Sequence, residues 1–401
     1  MNRAGGALLL GAGVTAAALA FGSRPLAVVG AGLLLAAALT QVWAGLARSA
    51  IEVTTTVQPS PAVEGDRVRL DFAVRRRSRM RVGSAVVHLD LGRLGRREAS
   101  LRGHGRMLSG ELDLGLLPRG SFGLAGAALD LGDHLGLASI TLRVATTERI
   151  VVYPRLVELQ GLFSDTGSLG ESGRRLLLRR AAGFDFHSVR AYEQGESLRR
   201  VHWPTSARRG ELMVRELHDT PHDGVVVLLD CDPAGATGEP PDSSFDAAVR
   251  AAGSVLRAYA IRGRAATLVT TGSNRSTVIV RAARRDFDAA LAALAAAEAD
   301  ASHPLSRYLG ADETALLRAG EIVVVTSVLA PATVAALLRT ANRRPVSVIW
   351  VDAPSFVERP TRADPGALRL STSGVPVAVV RRGDDLAGAL GARAVEALAR
   401  A

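Results

Sequence analysis

Two stretches without a charged residue open the chain: 4–22 (AGGALLLGAGVTAAALAFG) and 26–47, separated by Ser23, Arg24 and Pro25. Each is about the twenty residues that carry a helix across a hydrocarbon core, so residues 1–48 predict a transmembrane helical hairpin. From Ile51 to about Tyr153 the pattern changes to period two. IEVTTTVQ, DRVRLDFAVR, GSAVVHLDL, SGELDLGLL and ASITLRVATT alternate or run β-branched between Gly, Pro and Asp turns, which predicts a β-sandwich domain over 49–160. Residues 161–183 (GLFSDTGSLGESGRRLLLRRAAG) predict a flexible connector. Beyond Asp223, Val-rich runs alternate with apolar-periodic ones. GVVVLLD, AATLVTT, EIVVVTS, VSVIWVD and VPVAVV predict buried strands; SSFDAAVRAAGSVLRAYAI, FDAALAALAAAEA, ATVAALLRTAN and LAGALGARAVEALA predict helices. The domain over 184–401 is therefore expected to be a doubly wound α/β domain, with a parallel sheet covered on both faces.

The ends of the apolar stretches carry the topology. Arg3 and Arg48 flank the pair and Arg24 lies in its turn, so the positive-inside rule places both ends, and everything after Ala47, in the cytoplasm beside the cell membrane. Trp43 fits an interfacial anchor. A cleaved signal peptide ending at AFGS is the alternative for the first stretch. VVGAG at 28–32 opens like a dinucleotide fingerprint, but it lacks a third Gly and sits inside the second apolar stretch.

Composition removes several chemistries. All 49 basic Lys/Arg residues are Arg, so neither a Walker A loop nor a pyridoxal Schiff base can be built in its usual form. The net charge of +10 invites a nucleic-acid or anionic-lipid reading; GC-rich coding is the plainer source of the Arg bias. A single Cys, Cys231, excludes an intrachain disulfide framework, and no G-x-S-x-G elbow occurs. RRRSRMR at 75–81 reads as a solvated hairpin tip, or as a contact with anionic headgroups near the anchor.

The segment VRAYEQGESLRRVHWPTSARRGELMVREL (189–217) mixes arginines with acidic residues, a Tyr and a Trp. Arg190, Arg199 and Arg208 could make bidentate contacts to carboxylates or phosphate on a partner. Alternatively Tyr192 and Trp203 anchor the segment while Arg–Glu pairs tie its loops. A nucleic-acid surface is disfavoured, because acidic residues interrupt the patch. HDTPHD (218–223) has two His at zinc-ligand spacing, but Pro221 breaks the helix that spacing needs. Cys231 has no evident base beside it and reads as a buried thiol. DCDPAG, directly after the first Val-rich strand, falls where doubly wound sheets bind ligands.

This segment resembles the signature of the domain of unknown function 58 family. The resemblance is carried by Arg190, Tyr192, Gly195, Glu196, Arg199, Trp203, Ser206, Ala207, Arg208 and Leu212, with LPRGSFGL (117–124) and GDHLGL (132–137) upstream. Pro204 and His134 depart from the usual residues. The resemblance implies a membrane hairpin, a β-sandwich and a von Willebrand factor type A-like domain of Rossmann type. It also implies association with a MoxR-type AAA ATPase and a transglutaminase-like membrane protein, and it carries no established activity. A type A domain holds Mg²⁺ on D-x-S-x-S, a Thr and a second Asp, because this hard cation needs an octahedral set of oxygens. Here Asp230 fits, Asp232 replaces the first Ser, Ala234 replaces the second, Thr326 fits, and Val328 stands where an Asp is expected.

The expected function is thus a membrane-anchored, non-enzymatic interaction protein that needs no cofactor, binds no nucleic acid, and meets its partners through Arg190, Tyr192, Arg199, Trp203 and Arg208. The alternative is a metal-dependent enzyme, or a cofactor-assembly factor, working through Asp230 and Asp232 with Mg²⁺.

Overall fold

The structure is a computed structural model. It describes residues 3–47, 51–76, 82–103, 106–123, 126–144, 149–159, 161–166, 186–191, 206–208, 210–217, 224–281, 284–310, 316, 319–357, 359 and 363–391. The chain divides into two compact units, Met1–Tyr153 and Pro154–Ala401.

The first unit begins with helices α1 (Arg3–Phe21) and α2 (Arg24–Ala47). A two-residue reversal, Gly22 and Ser23, joins them: Gly22 has φ +58°, a value glycine adopts without strain. The helices meet through small residues. A Cβ on Gly30 would lie 2.4 Å from Thr15 Oγ1, and one on Gly11 would lie 3.1 Å from Leu33 Cβ. Gly11 receives Leu33 and Leu34 at this seam, whereas Leu9, Leu19, Val28 and Leu35 are exposed. By length and composition α2 can cross a membrane, with mean hydropathy 1.9, whereas the apolar part of α1, Gly5–Phe21, is shorter.

Among the described residues ten strands follow: β1 (Ile51–Gln58), β2 (Ala62–Val63), β3 (Arg67–Arg76), β4 (Ser84–Asp90), β5 (Arg96–Ser100), β6 (Met107–Leu116), β7 (Gly120–Gly123), β8 (Gly126–Gly132), β9 (Ser139–Val144) and β10 (Arg149–Tyr153). They form sheets ordered β1-β3-β6, β2-β10-β7 and β5-β4-β8-β9, antiparallel except where β2 meets β10. Alternation supplies the core: Val68, Leu70, Phe72 and Val74 of β3 are buried beside Val87 and Leu89 of β4 and Leu129 and Leu131 of β8. Each such side chain removed from water contributes about 1.5–3 kcal/mol. The turn within GDHLGL is built by Asp133, whose carboxylate accepts the Ala138 N–H at 2.9 Å.

Trp43 does not sit as a lipid anchor. With Ala44 and Ala47 it joins this sheet core and is 7% exposed. The spacing of the three puts one face of the last helical turns inward, and burial of an indole among aliphatic strands outweighs its preference for an interface.

In the second unit, β11 (Phe186–Ala191) pairs antiparallel with β12 (Met213–Leu217). The main sheet has six strands: β13 (Val225–Leu229), β14 (Ala266–Thr270), β15 (Thr277–Val280), β16 (Glu321–Thr326), β17 (Val346–Val351) and β18 (Val377–Val380). Their order is β15-β14-β13-β16-β17-β18, parallel except for β15 at the edge. Successive residues of β13 feed opposite cores. Val225, Val227 and Leu229 face a cluster with α4 (Ser244–Ile261) and α5 (Arg284–Ala296), and Val226 and Leu228 face a second cluster. That second cluster includes residues of α6 (Leu305–Gly310), α7 (Pro331–Ala341) and α8 (Pro365–Thr372). Continuous burial on both faces is why this strand reads VVVLL instead of alternating. The last helix among the described residues, α9 (Leu386–Leu390), returns to the first cluster through Leu390. The expected connector is ordered at its start: Leu162 and Phe163, opening α3 (Phe163–Thr166), are each 1% exposed in that same core, because two adjacent apolar side chains find a place on the sheet. Leu156 reaches Gly253, and the Val157 N–H bonds Ser254 Oγ at 3.0 Å, so residues 154–159 belong with the α/β unit.

Candidate functional site at the carboxyl edge of the parallel sheet

The chain leaves β13 for β14 and β15 on one side, then returns to lay β16, β17 and β18 on the other. The strand order therefore reverses between β13 and β16, and a crevice at that point is where doubly wound sheets place ligands. Two loops meet there, 230–235 after β13 and 326–329 after β16.

Asp230 directly follows β13 and is 5% exposed. Its N–H donates to the Val325 carbonyl at 2.9 Å. One carboxylate oxygen accepts the Thr326 hydroxyl at 2.6 Å; the other accepts the Asp232 N–H at 3.2 Å and the Thr271 hydroxyl at 3.4 Å. Thr271 Oγ1 in turn accepts the Cys231 N–H at 2.9 Å, and Thr326 Oγ1 accepts the Val328 N–H at 3.0 Å. Burial pushes the Asp230 carboxyl up to about 6, aided by the neighbouring Asp232 charge and opposed by the hydrogen bonds it accepts. Asp232 points elsewhere: its carboxylate accepts the Ala234 N–H at 2.9 Å and caps the 3-10 turn Pro233–Gly235.

The crevice itself is filled by the chain. A Cβ on Gly235 would lie 2.6 Å from Ser327 Cβ and 2.9 Å from Val328 Cγ2, so only glycine lets the two loops touch. Ser244 Oγ holds the Gly235 carbonyl at 2.7 Å, and Thr237 Oγ1 donates to the Ala353 carbonyl at 2.6 Å. Further along the same edge, buried Asp352 after β17 faces Arg381 after β18 at 3.5 Å. Burial pushes the Cys231 thiol up to about 11, far from the thiolate a nucleophile requires.

The structure thus brings together Asp230 and Thr326, two of the three residues expected to hold Mg²⁺, and sets them hydrogen-bonding to each other. Asp232 is adjacent in sequence but bonded to its own turn. Among the described residues no group of three or more His, Cys, Asp or Glu is placed to hold a metal ion. A cation on Asp230 would have to displace hydrogen bonds from Thr326 and Thr271, and Ala234 and Val328 offer no side-chain oxygen to complete an octahedral shell. Thr271, Asp352 and Arg381 were not singled out by sequence reading; the only signal was a polar residue directly after each Val-rich run.

Of the arginine motif, Tyr192, Arg199 and Trp203 lie outside the described residues, as do His218 and His222 of HDTPHD. Arg190 is in β11 opposite Val214. Arg208 lies in a short helical stretch, 206–208, and is exposed. Ser206 is buried, and its Oγ accepts the Met213 N–H at 2.9 Å. The Gly210 N–H returns to the Ser206 carbonyl at 2.9 Å with φ +74°. This part of the motif closes a tight connection into β12 and leaves Arg208 facing out.

A mostly parallel sheet with helices on both faces, reversed beside a buried, internally bonded Asp, defines a doubly wound-like α/β domain following an N-terminal helix pair and antiparallel sheets. Residues 188–370 match the family described as protein of unknown function DUF58, and they are a domain of that family. The uncharacterized protein YeaD of Bacillus subtilis (strain 168) is 26% identical over 207 residues, 51% of this chain and 49% of that protein. The chain therefore spans about half the length of this curated relative. A solved structure of Cwp6 from Clostridium difficile aligns over 74% of this chain and 37% of its own, at 10% identity and a TM-score of 0.17, a likeness from which nothing about the fold follows.

Proposed function

We propose that the protein is a membrane-anchored, non-enzymatic interaction protein whose α/β domain, of the von Willebrand factor type A kind, docks protein partners on the carboxyl edge of its sheet. The observation that carries this reading is the closed crevice: Gly235 against Ser327 and Val328, with the Asp230 carboxylate held by Thr326 and Thr271. Such an edge is a pre-ordered surface, and rigid surfaces bind with little ordering cost. The strand order, with one antiparallel edge strand, supports the type A assignment. Three sheets around one core support a β-sandwich before it. The close approach of α1 and α2 at Gly11 and Gly30, with Leu9, Leu19, Val28 and Leu35 exposed, supports a two-span hairpin in the cell membrane. On this reading the domains are cytoplasmic, within reach of a MoxR-type AAA ATPase and a transglutaminase-like membrane protein, and Arg190, Tyr192, Arg199, Trp203 and Arg208 form a second contact region.

Affinity capture of the full chain from its native membrane tests this reading, with Ala234→Arg as the edge variant, since Ala234 is exposed on the Pro233–Gly235 turn. Loss of the captured partner at unchanged melting temperature is expected. Unchanged capture would move docking away from this edge, and micromolar, Asp232-dependent Mg²⁺ binding with turnover would favour the metal-dependent enzyme instead.

A further inference from the structure

We propose that one end of the antiparallel sheets is a docking surface for anionic phospholipid headgroups of the bilayer that α2 enters. The inference rests on α2 being membrane-inserted, and it concerns only the first unit.

Strand register gathers this surface from four places in the sequence. Ile51 opens β1 four residues after Ala47 closes α2, so the start of β1 is at most about 14 Å from the helix end. Ile51 pairs with Arg76, the last residue of β3, and Glu52 pairs with Arg75. Across the same sheet Arg75 pairs with Met107, the first residue of β6, and the Arg76 N–H bonds the Arg106 carbonyl at 2.8 Å. In the four-stranded sheet, Ser84 at the start of β4 pairs with Gly132 at the end of β8. The 133–138 turn therefore lies at this end too, and the Leu101 N–H bonds the Ala85 carbonyl at 2.8 Å, bringing Arg102 there as well. The end of the sheets next to α2 thus carries Arg75, Arg102 and Arg106, all exposed, with Met107 at 58% and Leu135 at 62% exposure.

Among the described residues the acidic groups at this end are Glu52, opposite Arg75, and Asp133, whose buried carboxyl accepts the Ala138 N–H, while Arg102 also lines an open cavity with Asp71, Glu98 and Glu111. Arg77, Arg79 and Arg81 lie outside the described residues and carry no part of the inference.

Two further observations fix the occupant as lipid. Val42 and Leu46, on the outer face of the last turns of α2, are exposed and apolar, so the apolar surface of the helix continues to the point where the sheets begin. Trp43, Ala44 and Ala47 are packed into the sheet core, which fixes the end of the helix against the sheets. Arginines beside exposed Met and Leu at a membrane exit match a negatively charged interface, where guanidinium groups meet phosphates and apolar side chains dip below them. Each such arginine strengthens attachment to an anionic surface roughly fivefold.

The test uses the full chain in nanodiscs of phosphatidylcholine alone or with phosphatidylglycerol, in a Cys231→Ala background. A fluorophore is placed at Met107→Cys, at Leu116→Cys on the opposite end of β6, or at Leu35→Cys in α2. Quenching by nitroxide lipids is then read for each. Acyl-chain nitroxide should quench the Leu35 probe in both lipids, which establishes insertion on its own. Headgroup nitroxide should quench the Met107 probe at least about twofold more with phosphatidylglycerol, and the Leu116 probe in neither; 1 M salt or Arg75→Gln/Arg102→Gln/Arg106→Gln should remove the difference. An inserted Leu35 probe with no quenching at Met107, or with quenching indifferent to phosphatidylglycerol, overturns the lipid surface and leaves the anchor standing. An unquenched Leu35 probe overturns both.

Discussion

Thr326 donates its hydroxyl to Asp230 at 2.6 Å across the two strands between which the sheet reverses. A buried carboxylate at the reversal point of a doubly wound sheet is thereby held by the protein's own hydroxyls.

That relationship makes stability depend on pH with a defined sign. The folded carboxyl titrates at about 6 against 3.8 for the ordinary group, so between these values the folded state holds a proton that the unfolded state has released. Stability should fall as pH rises from about 4 to 6 and level off above, by up to on the order of 3 kcal/mol. Thermal melts of the detergent-solubilised full chain, compared with Asp230→Asn, check this. The variant should show a flatter profile over that range, and an identical slope would remove Asp230 as the cause.

Gly235→Ala should be disproportionately costly for a single methyl. The added Cβ meets Ser327 and Val328 at 2.6 and 2.9 Å, and overpacking of this kind costs about 1–3 kcal/mol. Gly224→Ala, whose Cβ would find only the Ala265 carbonyl at 3.8 Å, should be near neutral. Equal melting temperatures for the two would mean that the loops separate easily.

Ser206 and Arg208 should part company. Ser206→Ala strands the Met213 N–H in a buried site and should cost about 1–3 kcal/mol. Arg208→Ala removes an exposed side chain and should change stability by no more than about 0.5 kcal/mol, while weakening capture of a partner. A large drop in melting temperature for Arg208→Ala would make its role structural.

Trp43→Ala should act on the sheets and leave insertion intact. The indole is buried with the β core, and its truncation should cost about 3–5 kcal/mol. Circular-dichroism melts report the loss. A variant that melts normally but fails to reach the membrane would restore the interfacial role.

Topology is checked by a reporter fused after Ala401, which should be active only in the cytoplasm if Arg3 and Arg48 set the orientation. Export of the reporter would reverse the orientation and remove contact with a cytoplasmic ATPase.

The linear pattern determined much of this protein. Uncharged runs marked α1 and α2, period-two alternation marked β1, β3, β4 and β6, and unbroken Val-rich runs marked the buried parallel strands, because each property follows from which faces of a single element meet water. It missed β5 (RREAS), a charged edge strand, and β15 (TVIV), four residues long at the sheet edge, since neither buries a continuous face. It could name Asp230 and Thr326 as candidates, and DUF58-type residues around Arg208. Only the tertiary structure decided what those residues do. Strand order set Thr326 and Thr271 on Asp230, and the contact of two loops at Gly235 closed the crevice. Register brought Arg75, Arg102 and Arg106 to one end of the sheets, and the end of α2 drew Trp43 from an interface into a core. Each of these is a meeting between segments distant in sequence. Local periodicity records how much of a side chain is covered, and only the packing of the whole chain fixes what covers it.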